Sequence, residues 1–151
     1  MGDDAFRIME LSLQGFNCSQ ILMLLALEAR GQTDPDLVRS MTGLLTGLGA
    51  GKLCGALTGG CCVLGLVAGK ASARDEANPR FAAMLSSFVE WFEERYSKEY
   101  GGINCSDIVR DDARLRLERC PMIVAETQER LAQVLAENGL GFDGASREKE
   151  G

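Results

Sequence analysis

GLLTGLGAGKLCGALTGGCCVLGLVAGK, residues Gly43–Lys70, decides how this chain is read. Lys52 and Lys70 are its only charges, and it carries Cys54, Cys61 and Cys62 of the chain's six cysteines. Glycine allows close backbone approach but costs stability inside a helix. Glycines this dense beside thiols therefore point to crowded packing around something small. At about 100° per residue, Cys54, Thr58, Cys61 and Gly65 share one helical stripe, with Cys62 off it. The stretch predicts a turn over Gly47–Gly51, then a buried central helix from roughly Leu53 to Ala71.

The flanking sequence is helical throughout. Ala5–Gln14 is amphipathic and Gly15 stops it. Asn17-Cys18-Ser19 opens a second helix that is apolar nearly all round from Ile21 to Leu27, hence buried. Thr33-Asp34-Pro35 is a helix start, followed by Leu37, Val38, Met41, Leu44, Leu45 and Leu48 at helical spacing. Beyond the central stretch, Asn78-Pro79 opens a helix with the stripe Phe81, Met84, Leu85, Phe88, Trp91, Phe92 and Tyr96. A short helix follows Cys105, and Asp111–Arg119 reads as a charged surface element. Cys120-Pro121 reads as the start of the last helix, with Ile123, Thr127, Leu131, Val134 and Leu135 inward. Strand-type alternation is absent. The expected fold is all-α, a compact bundle of six or seven helices. It forms one domain over residues 1–139, with a flexible polar tail over 140–151.

Composition narrows the function. The chain has 151 residues, a net charge of −6 and a pI near 4.7. Nucleic acid is an unsuitable partner, because phosphate neutralisation needs clustered Lys and Arg. No basic and apolar leader opens the sequence, so a cytoplasmic location is expected, where six cysteines serve better as metal ligands or redox thiols than as disulfides. Histidine is absent. That removes the usual general base, the Cys–His nucleophile, Cys₂His₂ zinc and CxxCH haem attachment. Around Lys52 a phosphate loop fails, since Thr46 and Leu53 stand where glycine and Ser or Thr are needed. The uncharged run Leu53–Gly69 has G-x-x-x-G spacings at Gly55/Gly59 and Gly65/Gly69, but it is short for a membrane span and rich in glycine rather than leucine. A buried helix is the expected reading.

Cys18, Cys105 and Cys120 sit at expected helix starts, and Cys54 lies in a first turn. Free N–H groups and the positive dipole end there favour thiolate over thiol. Thiolates attack disulfides and ligate zinc and iron–sulfur clusters. Four such positions could meet at one end of a bundle. Gly15-Phe16-Asn17-Cys18-Ser19-Gln20-Ile21-Leu22 also parallels Gly102-Ile103-Asn104-Cys105-Ser106-Asp107-Ile108-Val109, which sets two of these cysteines in equivalent local surroundings. Cys61 and Cys62 read mainly as small packing residues beside glycine.

GFNCSQILML, GLGAGKLCGALTGG with its LGLVAGK tail, INCSDI and RCP together resemble the bacterial and archaeal C-GCAxxG-C-C family of redox-active proteins, over roughly Phe6 to Val124. The family name has Gly-Cys-Ala, whereas this chain reads Cys54-Gly55-Ala56. The family is also similar to a domain of split-Soret cytochromes, which carry haem and an iron–sulfur centre; without histidine, only the iron–sulfur centre carries over. The resemblance implies a small redox protein in which Cys18, Cys54, Cys105 and Cys120 bind an iron–sulfur cluster for electron transfer or sensing. Two alternatives stand beside it: thiol–disulfide exchange, and a thiolate zinc module without turnover. A redox partner protein and a homodimer are the expected partners.

Overall fold

The computed structural model describes residues 2–144, with side chains from residue 4. Among these residues seven α-helices form the architecture: α1 (Gly2–Leu13), α2 (Cys18–Ala29), α3 (Pro35–Ser40), α4 (Gly55–Ala68), α5 (Phe81–Tyr100), α6 (Cys105–Val109) and α7 (Ala113–Glu137). The protein is all-α, as its periodicity predicts. α4 packs against α2, α5 and α7, and α7 also closes on α1 and α6.

Glycine explains how closely α4 is surrounded. A Cβ on Gly59 would lie 2.6 Å from Ser19 Cα, and one on Gly60 would lie 2.4 Å from the Phe88 ring. Both faces therefore depend on the missing side chain. Outside these contacts, Cys61 and Gly65 are half-buried and Cys62 is exposed, so the thiol-bearing side of α4 is its outer side. The tight glycines and the paired cysteines occupy different faces, which the shared stripe does not anticipate. Among the described residues no helix is long and apolar enough to cross a membrane.

Capping accounts for several boundaries. Asn17 Oδ1 accepts from Gln20 N at 3.1 Å while Asn17 N donates to Gln20 Oε1 at 3.3 Å, a closed capping box. In the second copy of the G-x-N-C-S motif, Asn104 N donates to Asp107 Oδ2 at 3.1 Å. The repeat in sequence is thus a repeated N-terminal cap, and it places Cys18 and Cys105 each at the first helical position. Asp34 accepts from Leu37 N at 3.1 Å ahead of Pro35, as that signature predicts.

Two expectations are corrected. The helix after Pro35 does not reach Leu48: a tighter turn over Met41–Leu44 ends it, and Leu45 is extended. From Thr46 to Gly49 the backbone is left-handed, with φ of 51° at Thr46 and 62° at Leu48. Gly47 is required there, because its Cβ would lie 2.2 Å from the Lys52 carbonyl oxygen. Likewise, Cys120-Pro121 does not start the last helix. Asp112 Oδ1 accepts from Arg114 N at 2.8 Å and starts α7 earlier, so Asp111–Arg119 is mostly helix and Pro121 lies inside it. Burial of Ile123, Val124, Leu131 and Leu135 holds the helix together past that proline.

The aromatic stripe of α5 is core. Phe88, Phe92 and Tyr96 are fully buried, with the Phe92 and Tyr96 ring centroids 4.7 Å apart. Tyr96 Oη donates to Glu126 Oε1 at 2.8 Å, and Arg95 bridges Glu126 at 3.1 Å, tying α5 to α7. The packed layer extends past Gly139, since Leu140 and Phe142 rest on the core. The remainder of the expected tail, 145–151, lies outside the described residues.

Gly59→Ala is expected to lower stability by about 1–3 kcal/mol through overpacking against Ser19, read as a lower urea or thermal midpoint. Leu48→Gly should raise the midpoint, by up to about 1 kcal/mol, because a half-exposed residue leaves the left-handed region at little loss of burial. Unchanged midpoints for both variants would contradict this account of the loop and the helix contact.

Candidate four-cysteine redox site

Cys18, Cys54, Cys105 and Cys120 come from four separate elements and line one cavity of about 260 Å³. Its walls are mainly apolar, with Phe16, Ile21, Ile108 and Val124 among them. Each sulfur is held by its own backbone device. Cys18 begins α2 behind the Asn17 cap. Cys54 is the N-cap of α4 and Cys105 begins α6. A two-residue antiparallel bridge joins the last two: Cys54 N donates to Ile103 O at 3.0 Å, and Cys105 N to Lys52 O at 2.6 Å. Ser106 Oγ adds a bond to Gly51 O at 2.9 Å. Cys120 arrives on α7, and Arg119 beside it donates to Ile108 O at 2.7 Å, fixing α6 against α7.

The electrostatics depart from the expectation that helix starts depress thiol pKa values. Cys54 does receive the N–H groups of Ala56 and Leu57, but burial outweighs them and pushes its pKa to about 12. Burial also raises Cys105, partly offset by the Arg116 guanidinium beside it. Cys18 and Cys120 lie within hydrogen-bonding reach of each other. That contact, together with burial, holds Cys18 well above the ordinary thiol range. The same contact lowers Cys120, and Arg116 adds to the effect. The one cysteine of the four whose pKa is lowered is therefore inside a helix, not at a helix start. Desolvation decides Cys54 and Cys105, as it does wherever a charge must leave water, and adds to the Cys120 contact at Cys18.

Cys61 and Cys62 do not join the cavity. Burial raises both, Cys61 to about 11. Arg116 and Leu117 at the cavity are missed by sequence reading, because Asp111–Arg119 looks like a solvated face. The available signal is spacing: Arg116 precedes Cys120 by one helical turn, visible once α7 is taken through Pro121.

Among the described residues no three Cys, Asp or Glu side chains come close enough to share one metal ion. Fold and site together define a small helical protein with four thiols gathered on one apolar cavity. The chain belongs to the family described as "Putative redox-active protein (C_GCAxxG_C_C)", which matches residues 16–134. No curated protein and no solved structure matches it significantly.

With the metal-free protein, alkylation of Cys120 is expected to persist below the pH range of an ordinary thiol, since a lowered pKa keeps the thiolate present at lower pH. Cys18 and Cys54 should react last, and only at high pH. Exposed Cys62 serves as the internal reference. Mass-spectrometric mapping across pH checks the order, and Cys54 reacting ahead of Cys120 would contradict it.

Proposed function

We propose that this is a small redox protein whose four-cysteine cavity holds an iron–sulfur cluster for electron transfer or redox sensing. The observation that carries the reading is the convergence of Cys18, Cys54, Cys105 and Cys120 on a single apolar cavity. Disulfide exchange needs only two thiols and no space between four. The donor set suits a cluster, because thiolate sulfur is its usual ligand and the chain offers no imidazole. A single zinc ion is less suited: its sulfurs must all lie about 2.3 Å from one centre, whereas a cluster spreads its ligands over several irons. When bound, such a cluster supplies one-electron transfer at a potential set by nearby charge, hydrogen bonds to sulfur and exposure. This chain's residues do the rest. The four cysteines ligate, the Ala56 and Leu57 N–H groups favour negative charge on Cys54, and Ile21, Ile108 and Val124 exclude water. A redox partner protein, a cytoplasmic setting and a second copy of the chain complete the proposal.

The contact between Cys18 and Cys120 favours a second reading, dithiol exchange. The Cys120 thiolate attacks a substrate disulfide, forming a mixed disulfide and releasing one substrate thiolate. The Cys18 sulfur then attacks Cys120, giving up its proton, forming the Cys18–Cys120 disulfide and releasing the second substrate thiolate. The protein loses two electrons and the substrate disulfide gains them.

Protein purified without oxygen is expected to absorb broadly in the visible and to contain stoichiometric iron and sulfide. Cys54→Ser should lose most of that iron, while Cys62→Ser keeps it. Colourless protein without iron, in which Cys18 and Cys120 form a reversible disulfide, would select the second reading.

A further inference from the structure

One charged residue lines the cavity among the described residues: Arg116. It lies on the exposed side of α7, one helical turn before Cys120, and its guanidinium stands beside the Cys105 thiol. No carboxylate pairs with it among the described residues. The neighbouring Arg119 is otherwise engaged. Arg119 donates to Ile108 O at 2.7 Å and stacks 4.6 Å from the Tyr100 ring centroid. Asp111 opposes Arg116 at Cys105, and its effect there is the weakest of those acting on that thiol. Arg116 is thus an unpaired cation at the edge of an apolar cavity that gathers sulfur ligands.

We propose that Arg116 is a positioning residue of the four-cysteine centre: its fixed positive charge, at the cavity that Cys105 and Cys120 also line, stabilises the more negative state of the centre and draws anions to the cavity mouth. The first half rests on the iron–sulfur reading; the second rests on the position of the guanidinium alone. Reduction adds one electron, and so one unit of negative charge, with no bond to the protein made or broken. A guanidinium stays charged at every working pH and is more weakly hydrated than an ammonium, so even at an exposed position it shifts such an equilibrium, by less than a buried charge would. Removing it disfavours the reduced state, so the potential must fall.

The experiment uses the full chain with Arg116→Gln, Arg116→Lys and, as a control exposed on the same helix but outside the cavity, Arg114→Gln. In the loaded protein, dithionite titration should place the midpoint of Arg116→Gln lower by about a tenfold change in equilibrium constant, about 59 mV for one electron. Arg116→Lys should keep most of the wild-type value and Arg114→Gln all of it. In metal-free protein, the rate of Cys120 modification by anionic iodoacetate relative to neutral iodoacetamide should drop several-fold in Arg116→Gln and be restored in Arg116→Lys. An unchanged reagent ratio and midpoint in Arg116→Gln would overturn the assignment, as would an equal shift in Arg114→Gln. Loss of the reagent preference in a protein that never binds iron would leave the cation where it is placed and overturn the iron–sulfur reading together with the potential-setting role.

Discussion

Two backbone hydrogen bonds fix the site. Cys54 N to Ile103 O and Cys105 N to Lys52 O form the only strand-like pairing among the described residues, and they lock two cysteines far apart in sequence beside each other. Everything around the bridge serves it. The left-handed turn before Lys52 reverses the chain so that Lys52 O faces α6, and the Ser106 hydroxyl ties the end of that turn down. Without the bridge, α4 and α6 would begin wherever their packing allowed. With it, the two N-terminal ends open on the same cavity.

The other two sulfurs are brought in by close helix packing. α2 lies against α4 at a distance that only Gly59 permits, which carries Cys18 to the Cys54 end of the bundle. α7 carries Cys120, and the Arg119–Ile108 bond together with the Tyr96–Glu126 contact settles its register against α6 and α5. Once gathered, the thiols are governed by desolvation more than by helix ends. Three become reluctant to ionise, and Cys120 alone is eased by its neighbours Cys18 and Arg116. With a metal centre bound, that balance would reverse, because thiols ligate as thiolates. The high thiol pKa values of the metal-free site and a ligating role are therefore compatible.

Much of this was legible in the sequence. The fold class follows from helical periodicity with caps at Asn17, Asp34 and Asn104, and the G-x-N-C-S repeat marks two equivalent cysteine settings. Less legible was α7. Proline after Cys120 resembles a helix start, yet Asp112 is the stronger cap, and burial of the turns after Pro121 overrides the lost hydrogen bond. That misreading hid Arg116, whose relation to Cys120 exists only on a continuous helix. The glycine-rich stretch was also ambiguous. Periodicity places Cys61 on the stripe of Cys54, but a helix begins between them and Cys54 belongs to its cap, so the two thiols part company. The turn at Gly47–Gly51 is legible from its glycines, but the left-handed backbone at Thr46 and Leu48 is not, since it runs against local preference and only the tertiary bridge compensates it.

Four thiols, one cation and an apolar wall make a centre in which charge is scarce and each charged group counts. Strain in the Thr46–Leu48 loop and the unpaired Arg116 meet at the same cavity, where fold stability yields to function. The most direct measurement is X-ray absorption at the iron edge of protein purified without oxygen. The account predicts a first shell of sulfur alone together with iron–iron scattering. Iron coordinated by oxygen or nitrogen, or no iron at all, would contradict it.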